Sequence, residues 1–144
     1  MGENDNIYFL TADLGWGIFD RHRKDFPKRA LSTGAAEQAM LDIAVGLALS
    51  GKTPICYTIT PFYLRAFETI RTYLLHEQHH VLLVGSGRYN DYGRDGYSHD
   101  ASDTFGIFER IRLPMLIPDR KEQIPELLRN WLNGTAPAFM SLRR

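Results

Sequence analysis

Short apolar runs alternate with stretches of helical spacing along nearly all of this 144-residue chain, and that alternation narrows the fold more than any single motif. Ile7–Thr11, 29–32, Thr53–Ile59, 81–85, 115–117 and Ala138–Leu142 are expected strands, the third a buried β-branched and aromatic run. Between them, 18–26 is a polar helix or loop, and a helix runs from the Gly34–Glu37 turn to Ser50-Gly51. A third helix over 61–76 puts Phe62, Ala66, Phe67, Ile70 and Leu74 on one stripe. Further helices cover 105–112 and 121–132, and 86–103 is a long polar, glycine-rich loop. The order predicts an α/β fold of three layers, α/β/α, with a mainly parallel six-stranded sheet in one domain over residues 1–144. In open sheets of this kind function gathers at the carboxyl ends of the strands. The segments 13–17, 32–37, 58–62 and the loop after Gly85 should therefore converge on one rim.

Composition excludes several classes. Seventeen acidic and seventeen Lys or Arg residues balance, so no strong field favours nucleic acid or an anionic membrane. The single cysteine, Cys56, lies in an apolar run; it forbids an intrachain disulfide and fits a buried small side chain in a reducing compartment. No apolar stretch reaches the roughly 18 residues of a membrane span. The polar start is no signal peptide, and Asn6 stands where a myristoylation motif wants Ser or Thr, so a cytoplasmic protein is expected. His76, His79 and His80 suit a surface helix end better than a metal site, and Arg88, Arg94, Arg143 and Arg144 are expected as surface charge.

Glu37 stands out chemically, as a carboxylate in the first turn of a segment that is otherwise almost all apolar. A carboxylate is rarely buried without a partner. With Gly34 as N-cap, Glu37 falls at the third helical position, where it can reach a free backbone N–H and where the helix dipole favours an anion. The neighbouring Gly34, Ala35 and Ala36 also leave space beside the acid, as a flat ligand would require. The loop after Gly85 fits neither a dinucleotide fingerprint nor an EF-hand, and His99 within it is either a solvated loop residue or a catalyst.

Taken in order, Gly34-Ala35-Ala36-Glu37-Gln38, Gly46-Leu47-Ala48, Lys52-Thr53-Pro54-Ile55, Phe62-x-x-Arg65-Ala66 and Asp95-Gly96-Tyr97-Ser98-His99 resemble the pyrimidine-binding domain of transketolase-like thiamine diphosphate enzymes. The spacing is especially similar to the transketolase and deoxyxylulose-phosphate synthase branches. The resemblance implies that Glu37 hydrogen-bonds N1′ of the cofactor's aminopyrimidine and favours its imino tautomer, so the hard chemistry belongs to the cofactor. It implies that Phe62 stacks on the pyrimidine, with Ile59 standing where relatives carry a second aromatic. Asp13 matches an aspartate near the cofactor at a subunit seam. Arg65 matches an arginine that meets an anionic substrate group, and Asp95 and His99 match a loop pair contacting donor hydroxyls and phosphate. Tyr97 and Ser98 depart from the commoner residues beside them.

Such enzymes hold the diphosphate and Mg²⁺ through a Gly-Asp-Gly motif and a following Asn on a separate domain, an arrangement this sequence lacks. The sequence also stops just after its last expected strand, without the family's third domain. The resemblance therefore implies a split enzyme, in which a partner subunit carries the diphosphate and Mg²⁺ site and two of each chain form a heterotetramer. The expected activity is transfer or condensation of a two-carbon ketol or acyl unit between a keto donor and an aldehyde-type acceptor. A split 2-keto acid decarboxylase subunit and a non-catalytic interaction module that kept the fold are the alternatives.

Overall fold

The computed structural model describes residues 5–144. Six strands form one fully parallel sheet in the order β2-β1-β3-β4-β6-β5. They are β1 (Ile7–Thr11), β2 (Ala30–Ser32), β3 (Thr53–Ile59), β4 (Leu82–Ser86), β5 (Met115–Leu116) and β6 (Ala138–Leu142). Period-two alternation sends Leu10, Cys56, Leu83 and Phe139 to one face, and Phe9, Ile55, Leu82 and Met140 to the other. Because helices cover both faces, each strand is apolar almost throughout, which is why the runs are legible as strands.

The first face is covered by α2 (Glu37–Leu49), by the helical segment after β3, and by α4 (Ser102–Arg110). Met40, Leu41 and Ala44 of α2 are fully buried there, beside Tyr63, Ala66, Ile70 and Leu74. The second face takes α1 (Asp20–Asp25) and α5 (Ile124–Leu132), with Phe19 packed on Phe9 and Trp131 on the sheet.

The segment expected as one α-helix over 61–76 is tighter at its start and wider at its end. Thr60–Ala66 is a 3₁₀ helix, Phe67–Thr69 makes the short α3, and Ile70–His76 widens to π-helical bonding. Tyr63 explains part of this. It is fully buried, and its hydroxyl donates to Cys56 O at 2.8 Å and accepts from Val84 N at 3.1 Å, locking the tight turn onto β3 and β4. Gly85 permits the same approach, since a Cβ there would overlap the Thr60 hydroxyl and lie 2.7 Å from the Phe139 ring.

Arg88 corrects the expectation of surface charge. It is buried, with Nε donating to Ser141 Oγ at 3.0 Å and Nη2 to the carbonyls of Pro118 and Ser141 at 2.9 and 2.8 Å. It ties the start of the long loop to the strand beside it. That loop is not wholly irregular, for Gly93–Asp95 and Tyr97–His99 each form a 3₁₀ turn. Cys56 is fully buried, as expected, and burial pushes its thiol far up.

Candidate functional site

A parallel sheet places every strand's carboxyl end on one rim, and here β1 lies between β2 and β3, so the chain departs from β1 in opposite directions. Thr33 N donates to Thr11 O at 3.0 Å and Ala12 N to Tyr57 O at 3.4 Å, joining the three carboxyl ends. The expected convergence of segments occurs on this rim.

Glu37 opens α2 itself. Gly34 takes a left-handed conformation (φ 65°), Ala36 is the N-cap, and Glu37 occupies the first helical position rather than the third. The capping arrangement inferred from the sequence is therefore absent among the described residues. Glu37 is only 2% exposed, and its partners come from β3 and the 3₁₀ helix. Arg65 Nη1 donates to Oε2 at 2.7 Å, and Thr58 Oγ1 makes a longer contact to Oε1 at 3.4 Å. Thr58 points at Glu37 because it shares the α2-facing side of β3 with Cys56.

Arg65 also lies on Phe62, with its guanidinium carbon 4.1 Å from the ring centroid. Phe62 meets the His99 ring at 5.1 Å in an edge-to-face arrangement, and His99 meets Tyr92 at 5.9 Å. The Tyr92 hydroxyl is 2.8 Å from Ser86 Oγ, and Arg144 stands over the Tyr92 ring at 4.4 Å while pairing with Asp95 at 3.3 Å. Burial pushes the Tyr57 phenol up, opposed by its hydrogen bond to Ser86. One connected rim thus runs from Glu37 through Arg65, Phe62, His99 and Tyr92 to Arg144 and Asp95.

Glu37, Arg65, Phe62 and His99 are brought together, and Asp95 stands at the far end, its carboxylate on Arg144. Ile59 is half-buried at the start of the 3₁₀ helix. Asp13 is exposed just after β1 in a left-handed conformation (φ 47°), and makes no hydrogen bond or ion pair to this group among the described residues. Sequence reasoning missed Thr58, Ser86, Tyr92 and Arg144. Thr58 carried a usable signal, a polar residue in phase with the buried Cys56, and Tyr92 was an aromatic in an otherwise polar loop.

The chemistry available is a buried carboxylate beside an aromatic face, with an imidazole and two guanidinium groups at the mouth. Among the described residues, no three His, Cys, Asp or Glu side chains come together to hold a metal ion. The Arg65 guanidinium bridges Glu37 and Phe62, hydrogen-bonded to the acid on one side and lying over the Phe62 ring on the other.

Comparison with known proteins identifies the family of the fold that carries these residues. The family model "Transketolase, pyrimidine binding domain" matches residues 1–144. The "Putative transketolase C-terminal section" of Methanocaldococcus jannaschii is 28% identical over 143 residues, covering 97% of this chain and 45% of the relative. One of the subunits of the apulose-4-phosphate transketolase of Actinobacillus succinogenes is 26% identical over 121 residues, covering 83% of this chain and 39% of that protein. A solved structure described as "Split gene transketolase, inactive beta4 tetramer" superposes with a TM-score of 0.84 at 26% identity, covering 99% of this chain and 47% of its own. The chain thus spans less than half the length of each of these three relatives. A buried glutamate opening a helix at the switch of a parallel sheet, and a family match over its full length, place this chain in the transketolase pyrimidine-binding domain family.

Proposed function

We propose that this chain is the pyrimidine-binding subunit of a transketolase-like, thiamine diphosphate-dependent transferase that moves a two-carbon ketol or acyl unit. A partner subunit with a Gly-Asp-Gly…Asn site would hold the diphosphate and Mg²⁺. The observation that carries this reading is the buried Glu37 carboxylate standing close to the Phe62 ring, the two bridged by the half-exposed Arg65 guanidinium. When bound, thiamine diphosphate supplies a carbon nucleophile that makes and breaks bonds next to carbonyl groups.

The chain's own residues bind and orient. Glu37 holds a proton against a ring nitrogen of the pyrimidine, Phe62 stacks on the ring, and Ile59 supplies an aliphatic wall. His99 and Asp95 meet hydroxyls and phosphate of the keto donor, and Arg65 meets an anionic group, for which a guanidinium is suited. Asp13 borders the cofactor at the seam with the partner.

Exposed apolar residues support a partner. Trp16 and Ile18 follow β1 on the rim and are 62% and 72% exposed, and Ile43 and Leu49 are exposed on α2. A large exposed aromatic and aliphatic pair on the rim, Trp16 and Ile18, is the kind of surface another subunit would cover. A two-fold heterotetramer, two of each chain, would close both seams. No helix among the described residues is long and apolar enough to cross a membrane.

Calorimetry with thiamine diphosphate and Mg²⁺ tests the proposal. Binding to the mixture of this chain with a Gly-Asp-Gly subunit, and little to either alone, is the expected result. A mixture that assembles but takes up no cofactor would make this chain a non-catalytic module.

A further inference from the structure

We propose that Arg65 is a built-in placeholder for the pyrimidine subsite, its guanidinium holding the slot between Glu37 and Phe62 and giving way when the heterocycle enters. The inference rests on the function proposed above. Both recognition elements of the slot are consumed by this one side chain. Nη1 sits 2.7 Å from Glu37 Oε2, and the guanidinium carbon sits 4.1 Å over the Phe62 ring. A ring bonded to the same oxygen and stacked on the same face would overlap it.

The local backbone makes this placement a consequence of sequence spacing. Phe62 and Arg65 are three residues apart on the 3₁₀ helix Thr60–Ala66, and in a 3₁₀ helix side chains at i and i+3 eclipse. Arg65 therefore rises directly over Phe62, whereas an α-helix would offset the two. The tight turn is held by the buried Tyr63 hydroxyl between β3 and β4, so the alignment survives movement of the arginine itself.

The grip is weak enough to release. The Arg65 side chain is 51% exposed, and Glu37 and Phe62 are its partners at the guanidinium. An ion pair half open to water and one cation–π contact together cost an incoming ligand roughly tenfold in apparent affinity. In return, the buried carboxylate keeps a counter-charge until the heterocycle takes its place. Once displaced, the guanidinium swings out beside Phe62 and His99, at the mouth, where an anionic group can engage it. Arrival of the heterocycle and arming of the substrate mouth then become one event.

Thiamine diphosphate and Mg²⁺ titrated into the assembled complex of the isotope-labelled full chain with a Gly-Asp-Gly subunit, with the Arg65 Nε–H resonance followed, tests this directly. The expected results are a shift of that resonance to the position of a solvated arginine, roughly tenfold tighter binding by Arg65→Ala, and an intermediate effect for Arg65→Lys. Glu37→Ala should bind poorly whatever stands at position 65. Weaker or unchanged binding by folded Arg65→Ala would overturn the inference, because Arg65 would then orient Glu37 instead of standing in for a ligand. Absence of cofactor binding by assembled complexes carrying either wild type or Arg65→Ala would instead fail the cofactor reading, and the placeholder with it.

Discussion

Glu37 and Arg65 lie 28 positions apart in the chain and 2.7 Å apart in space, one carboxylate 2% exposed and one guanidinium half in water. The asymmetry matters for function. A buried acid whose neighbouring cation can swing into solvent is an acid that can change partners. A structural ion pair has little reason to expose one member.

The first prediction concerns stability at that pair. Since Arg65 is well solvated, Glu37→Gln should cost the isolated chain no more than about 1 kcal/mol. Urea unfolding followed by circular dichroism checks this. A loss several times larger would mean that Glu37 is a structural keystone.

Gly85 is the second. A methyl group there meets Thr60 and Phe139, both held in the core, so neither can yield cheaply. Gly85→Ala should destabilise the chain by about 1–3 kcal/mol through overpacking. It should also loosen the 3₁₀ helix that carries Phe62 and Arg65, visible as changed amide shifts over residues 60–66.

Tyr63→Phe removes a buried hydroxyl that bridges Cys56 O and Val84 N. Leaving those backbone groups short of a partner should cost about 1–3 kcal/mol. Denaturant midpoints measured beside Tyr73→Phe, an exposed tyrosine, provide the comparison.

Acid sensitivity follows from His80. Its ring packs against Trp131 with centroids 4.0 Å apart and planes tilted by 37°, and because a carbonyl can only accept, Nε2 carries the hydrogen it donates to Trp131 O at 3.2 Å. Burial holds the imidazole below its ordinary 6.5, with that hydrogen bond opposing. The folded value lies below the unfolded one, so the unfolded chain binds the proton first. Stability should be intact above about pH 6.5, fall as the pH drops through that value, and level off once the folded form protonates too. His22, lowered by burial and then by Arg29, adds in the same direction. His80→Phe should flatten part of the slope between about pH 7 and about pH 5 in urea titrations.

Strands were the most legible layer. Thr53–Ile59 and Ala138–Leu142 match the expected bounds because a sheet covered on both faces demands unbroken apolar runs. Helix boundaries were less so. The Gly34-Ala35-Ala36 turn resembled a cap, yet the chain stays non-helical through Ala36, since Gly34 is spent on the left-handed turn out of β2. The 3₁₀ segment Thr60–Ala66 was hidden, because the Tyr63 bonds to two strands, not local propensity, hold it. Arg88 was misjudged for the same reason: its acceptors come from Pro118 and Ser141, far along the chain. The residues of the candidate site stood in the sequence as a pattern, while the pairing of Glu37 with Arg65 did not, being a contact of the folded state alone.

Turnover by the reconstituted complex carrying Glu37→Gln tests the central claim most directly. Mixed with a diphosphate-binding partner, the wild-type chain should transfer a two-carbon unit from a keto donor, and the variant should fold, assemble and lose that turnover almost completely. Near-normal turnover by an assembled Glu37→Gln complex would contradict the account.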